Sequence, residues 1–187
     1  MMKILSYFSL VFYFIACSND MSEVNKMLPH ENLKVETATN VEILYSDSAI
    51  VKVRITSDLM KRYLHHGESY DEFPNGLLVE FLDEHKRVKS WLESDYAIRK
   101  DAEKKIFVKD NVVLFNSNND KLETYELVWD ENTEEVYTDK PIKITQPSIG
   151  DTSFGFGFKA DQEFTRFEIK RKFSGIKNIE ELTKEFN

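Results

Sequence analysis

Cys17 is the only cysteine in this chain of 187 residues, so its thiol has no partner within the chain and no intramolecular disulfide can form. It follows the run Leu10-Val11-Phe12-Tyr13-Phe14-Ile15-Ala16, behind a charged start at Lys3. A basic residue, an apolar stretch, a small residue and then cysteine is the order of an export signal cut before an acylated thiol. The chemistry expected of Cys17 is therefore lipidation, with residues 1–16 removed as signal peptide. Phe14 stands where such signals usually carry leucine. A spanning anchor fits less well: Ile4 to Ala16 gives thirteen uncharged residues, whereas a spanning helix needs about 20.

The other reactive side chains form no catalytic pattern. His30 lies in a polar segment and His85 in a turn. His65 and His66 are adjacent, so in an extended chain they point to opposite faces. No histidine spacing supports a metal site, and no metal or cofactor is expected. The acidic pairs Asp83/Glu84, Glu134/Glu135 and Glu180/Glu181 fall in turns or the tail, where solvated charge is the default. A glycosidase would need two carboxylates fixed about 5–9 Å apart in a cleft, and no pair stands out. Gly155-Phe156-Gly157 precedes no helix start, so it is not a phosphate cradle. The chain reads as a non-enzyme.

Charge narrows the partners. Loss of Lys3 with the signal leaves 24 Lys and Arg against 33 Asp and Glu, a formal charge of −9. That balance disfavours nucleic acid and adsorption to anionic lipid head groups, so the lipid on Cys17 must supply the membrane attachment. Without disulfides, an exported domain of this size needs an apolar core, which fourteen Phe and eight Tyr can provide.

Residues 17–39 read as the lipidated cysteine and a flexible tether. From 40 to 173 the pattern becomes short period-two runs separated by polar turns, about ten strands in all, the cadence of an all-β sandwich or jelly roll. The runs include Val41–Tyr45, Ile50–Ile55 and Leu77–Leu82; Asp58–Gly67 is ambiguous and could form a helical turn. Val88, Leu92, Tyr96 and Ile98 share even positions. Ile106–Val108 and Val112–Phe115 read as a hairpin about Lys109-Asp110-Asn111. Tyr125, Leu127 and Trp129 share a face, as do Phe154, Phe156 and Phe158; Phe164–Lys172 is the last run. In the tail, 174–187, Asn178 can cap a short helix with Glu181 three residues on.

The order and spacing of several segments resembles the LptC family of lipopolysaccharide export proteins. They include Val41-Glu42-Ile43-Leu44-Tyr45-Ser46-Asp47-Ser48, Glu72-Phe73-Pro74-Asn75-Gly76-Leu77, Asn111-Val112-Val113-Leu114, Val136-Tyr137-Thr138-Asp139-Lys140-Pro141 and Gly155-Phe156-Gly157-Phe158-Lys159-Ala160-Asp161. The resemblance implies a twisted β-jellyroll of two facing antiparallel sheets with an apolar interior. Better-known members of the family are held by an uncleaved membrane helix, and this chain departs from them in carrying a lipidation signal at Cys17. The resemblance also implies a periplasmic protein, at the inner membrane in preference to the outer. Such a protein takes lipopolysaccharide from an inner-membrane ABC transporter and passes it to an LptA-like bridge protein.

Acyl chains would then lie against Leu77, Val79, Phe81, Leu92, Tyr96, Ile98, Val113, Phe115, Leu127, Trp129, Phe156 and Phe158. The last run, with Phe164, Phe167, Ile169, Lys170 and Arg171, would offer its free edge to the bridge protein. The alternative is a surface or periplasmic lipoprotein whose jelly roll binds carbohydrate on an outward aromatic such as Trp91.

Overall fold

The structure, a computed structural model, describes residues 34–65 and 68–172, with the backbone alone at 65 and 68. The expectations for Cys17, the signal peptide, the first part of the tether and the C-terminal helix lie outside these residues, as do His30 and His66.

The described chain is all-β. Its strands are β1 (Lys34–Asp47), β2 (Ile50–His65), β3 (Glu68–Phe73), β4 (Leu77–Leu82), β5 (Val88–Ser94), β6 (Tyr96–Lys100), β7 (Lys105–Asn116), β8 (Lys121–Asp130), β9 (Glu135–Gln146), β10 (Asp151–Asp161) and β11 (Phe167–Lys172). All join one antiparallel sheet of eleven strands. Two pairs act as single long strands with a break: β3 runs into β4 through Pro74-Asn75-Gly76, and β5 into β6 through Asp95. β3 and β4 both pair with β2, and β5 and β6 both pair with β7. The result is an up-and-down meander from β1 to β11.

Each long strand is interrupted near its middle, and the interruptions line up across the sheet. Left-handed backbone marks the line at Asn40, Gly76, Asp110, Asn111 and Gly157. Register shifts accompany it between Lys109 and Val112, between Thr124 and Val128, and between Phe156 and Phe158. Bulges bend a strand and increase its twist, so an aligned row of them folds the sheet across its own strands. Glycine is needed at Gly76, where φ is +79° and a Cβ would sit 2.0 Å from the Ser94 carbonyl oxygen.

Ring contacts show how far the sheet rolls. Tyr45 on β1 and Trp129 on β8 lie five strand spacings apart along the meander, roughly 24 Å at the usual interstrand distance. Their ring centroids are nevertheless 5.8 Å apart, edge to face. Phe81 on β4 also meets Trp129, at 5.4 Å. The two halves of the sheet therefore face each other as walls around one core. They are continuous through the backbone at the bends and meet through side chains at the hairpin-turn side.

The bends account for most of the differences from the sequence expectations within the β region. The strands begin at Lys34 and not at 40. Asp58 onward is not helical but continues β2, paired with β1 and then with β3. The expected hairpin about Asp110 is one bulged strand, β7, and the runs 136–138 and 142–145 are likewise one strand, β9. Each irregularity moves the period-two pattern out of phase, so alternate residues change face in mid-strand. Tyr125 is thus exposed while Leu127 and Trp129 are buried, and Phe156 faces out while Phe158 faces in. The last strand is shorter than expected: Phe164 is not on it but in the preceding turn, buried at φ +53°.

Candidate functional site

The interior is organised as rows that run across the strands. On the first wall, cross-strand partners connect Ile43, Ile55, Val79, Leu92, Leu114, Leu122 and Ile144, ending at Ser153. Seven aliphatic side chains in line make a continuous apolar strip. On the second wall the matching row reads Arg62, Asp71, Arg99, Ile106, Trp129, Val136, Ala160 and Phe167. This row is charged over its first three strands and apolar thereafter.

Of the twelve residues expected to wall an acyl groove, Leu77, Val79, Phe81, Leu92, Leu127, Trp129 and Phe158 are buried on the inner face. Tyr96, Ile98, Val113, Phe115 and Phe156 are half-buried on the outer face. In their strands the inner positions belong to Ala97, Arg99, Val112, Leu114 and Gly155. The phase slips at Asp95, at Asp110-Asn111 and at Gly157 explain the exchange. Trp91 also lies outward, with one ring face stacked on Phe115 at 5.1 Å.

The core is narrowest in exposure at its centre and opens toward its two edges. Ile43, Tyr45 and Met60 pack partly buried against it at the β1 end, and Phe167 and Ile169 do so at the β11 end. Within the described residues β1 pairs only with β2, and β11 only with β10. Among the described residues their outer edges carry unpaired backbone groups.

At the β11 end the Gly-aromatic segment has a physical reason. A Cβ on Gly155 would sit 2.6 Å from the Arg171 carbonyl oxygen and from Ile169 Cγ2, and one on Gly157 would meet the Lys170 stem. The two glycines let β11 lie close against β10. Lys170 then reaches Asp139 at 2.6 Å, and the Arg171 guanidinium covers the Phe156 ring at 5.2 Å.

Phe164 serves the turn side. It is 1% exposed and packs against Phe158 and Phe167. Its loop is tied to both walls: Ser90 Oγ donates to the Gln162 carbonyl, Asn116 Nδ2 to the Phe164 carbonyl at 2.9 Å, and Trp129 Nε1 to Gln162 Oε1 at 3.1 Å.

Sequence reasoning missed the polar members of the second wall. Arg62 forms a bidentate pair with Asp71, at 2.7 and 3.1 Å. Arg99 Nη2 lies 2.8 Å from Asp71 Oδ2 and 2.9 Å from Asp101, and its Nη1 donates to the Tyr45 hydroxyl at 2.7 Å. Burial pushes the Tyr45 hydroxyl above its ordinary range against the opposing pull of Arg99, so it stays protonated at neutral pH. On the outer face, burial and then a hydrogen bond to Glu72 push Tyr96 up to about 12. No cluster of three or more metal-ligating side chains exists among the described residues, and no described helix is long and apolar enough to cross a membrane.

A rolled sheet with facing interior rows and, among the described residues, an unpaired edge at either end defines a β-jellyroll-like domain whose apolar interior runs across its strands. The sequence matches the family described as lipopolysaccharide-assembly, LptC-related, over residues 6–177, and the chain belongs to that family. Membership places the protein in lipopolysaccharide transport at the cell envelope, with lipopolysaccharide and the Lpt system as its partners in general terms. No curated protein matches the sequence.

Proposed function

We propose that this domain is a non-enzymatic periplasmic carrier that accepts lipopolysaccharide from an inner-membrane ABC transporter and passes it along a jellyroll bridge toward the outer membrane. The observation that carries this reading is the pair of opposed rows, above all the seven aliphatic residues from Ile43 to Ile144. They shelter acyl chains without any strong polar site, since each CH₂ taken from water contributes about 0.8 kcal/mol. The walls part at the turn side, where ring contacts among Tyr45, Phe81 and Trp129 and the hydrogen-bonded loop at Gln162 and Phe164 join them, while the bends hold the other side. β1 meets the transporter and β11 the LptA-like bridge protein, each by strand addition. Acylated Cys17 tethers the domain to the inner membrane.

A photocrosslinker at Phe81 or Trp129 in cells tests the reading. It captures lipopolysaccharide if acyl chains pass between the walls. Capture only from the outward positions Trp91, Ile98 or Phe115 overturns the interior route and favours surface binding of the sugar.

A further inference from the structure

The turn side is tied unevenly along its length. One inner row of the first wall runs beside the turns: Tyr45, Val53, Phe81, Ser90 and Asn116. Ser90 and Asn116 are buried, and their side chains donate to the carbonyls of Gln162 and Phe164 in the loop between β10 and β11. Val53 and Phe81 offer no polar group. At the β1 end, the only hydrogen bond between the walls among the described residues runs from Arg99 Nη1 to the Tyr45 hydroxyl, at 2.7 Å. Tyr45 is also the one member of the row that is not buried.

The two halves of this link are held differently. Arg99 is fixed to its own wall, with Nη2 2.8 Å from Asp71 Oδ2 and 2.9 Å from Asp101 Oδ1. Arg62 shares the Asp71 carboxylate. Nη1 is left to reach across. Tyr45 stands on β1, which among the described residues pairs with β2 alone, so the first wall is least constrained there. Closure also carries a cost. Arg99 Nε, on the guanidinium edge away from Nη1, is buried with no acceptor among the described residues. A buried donor without an acceptor is unfavourable, and opening at this end brings water to it. One hydrogen bond gained on closing is thus set against one lost, which narrows the gap between closed and open.

Resting on the carrier reading above, we propose that the Arg99–Tyr45 hydrogen bond is a latch. When it breaks, the walls part at the β1 end and admit acyl chains sideways, while the 162–164 loop keeps them joined toward β11. Trp129, edge to face with Tyr45 at 5.8 Å, and Phe81 beside it are the first apolar surfaces that opening uncovers.

The chain has two tryptophans, Trp91 and Trp129, so Trp91→Phe leaves Trp129 as the sole reporter. Acrylamide quenching is measured on the full chain with and without Tyr45→Phe, which keeps the ring against Trp129 and removes the hydroxyl. The quenching constant should rise about tenfold, the equivalent of one hydrogen bond to a charged group. Hydrogen exchange of the β1, β2 and β8 amides should not change, because the walls separate without unpairing their strands. Unchanged quenching overturns the proposal. So does a rise matched by lost amide protection, which is unfolding and not opening.

A covalent lock tests the route. In a Cys17→Ser background, Tyr45→Cys and Asp101→Cys leave Arg99, Asp71 and Arg62 in place. Both replaced side chains touch the Arg99 guanidinium, so a short bismaleimide spans them. Purified protein with a photocrosslinker at Phe81 should capture lipopolysaccharide before linking and lose that capture after it. Capture that persists after linking means that lipid enters elsewhere, which overturns the latch and leaves the carrier function standing. If the paired cysteines impair folding, the Tyr45→Phe comparison decides alone. If the wild type captures no lipopolysaccharide at Phe81 or Trp129, the carrier reading falls and takes this inference with it.

Discussion

Replacing Gly155 by alanine should loosen β11 and little else. The added Cβ would lie 2.6 Å from the Arg171 carbonyl oxygen and 2.6 Å from Ile169 Cγ2, where ordinary contact begins at 3.4 Å. Ile169 can rotate away, but Arg171 offers backbone, so β11 itself must move by roughly the 0.8 Å shortfall. Inserting a methyl into packed structure costs about 1–3 kcal/mol. Complete release of β11 costs more, because Phe167 and Ile169 pack on the core and each such side chain contributes about 1.5–3 kcal/mol when fully buried. The strand should therefore fray from its C-terminal end, where Gly155 pairs with Lys172 and Phe156 with Arg171.

The assay is native-state hydrogen exchange. Amides of β11 should exchange about 5- to 150-fold faster, the range matching 1–3 kcal/mol, while those of β4, β5 and β7 keep their protection. Gly150→Ala is the control. Nothing lies within 4 Å of that Cβ, so its only penalty is the φ of +65° in the turn. Unchanged exchange in β11 of Gly155→Ala would refute the argument that these glycines exist to seat the edge strand. Docking of an LptA-like partner should weaken in the same variant if β11 is the exit edge.

Cys17→Ser should release the domain from the membrane fraction and leave its thermal unfolding unchanged; retention in the membrane would mean that something other than acyl-cysteine holds it. Phe81→Ala, at a site with no exposed surface and against Trp129, should cost about 3–5 kcal/mol in denaturant unfolding, and a loss below about 1 kcal/mol would mean the walls are not packed together at the turn side. Asp83 accepts backbone N–H bonds from Arg87 and His85, each at 2.9 Å, and its carboxyl is held down to about 2. With the folded value below the ordinary 3.8, its contribution to the Leu82–Val88 turn is present above that value and is lost as pH falls through about 2. An NMR titration of Asp83 with a midpoint near 3.8 would count against the turn geometry.

How much of this was legible in the sequence follows from where the phase of the alternation holds. Leu77, Val79 and Phe81 lie between two interruptions, and period two places all three inside. Val88 is already out of phase, paired with the outward Leu82 across a register shift; Ser90, Leu92 and Ser94 then hold the inner face until Asp95 breaks it again. Ala97 and Arg99 turn inward, and Tyr96 and Ile98 turn out. No residue at Asp95 announces this as glycine or proline would. Asp110-Asn111 was visible as a turn signal, correctly so in local conformation, since both residues are left-handed. What the sequence could not say is that the strand continues beyond it, because that depends on pairing with β8 on both sides of the bulge. Arg99 was hidden for a related reason. A charged residue in an alternating run is ordinarily assigned to solvent; cross-strand pairing places Asp71 beside it, and only the roll of the sheet brings Tyr45 to it from the opposite wall.

The aligned bends connect the two halves of the functional reading. Because they fold the sheet across its strands, the apolar rows run perpendicular to the chain direction. Each further strand on an edge lengthens every row by one residue. Strand addition at β11 would therefore extend both walls in one act, continuing the first from Ser153 and Gly155 and the second from Phe167 and Ile169. It follows that the register of docking, and not only its strength, decides whether an apolar path is continuous. A partner displaced by one residue would present its outward side chains to the interior. The exposed pair Lys170–Asp139 and the Arg171–Phe156 contact lie on the outer face of β11, while Phe167 and Ile169 pack against the core. A partner strand in phase with Phe167 and Ile169 keeps its own inward side chains on the apolar path, and that constraint suits a path that must join end to end.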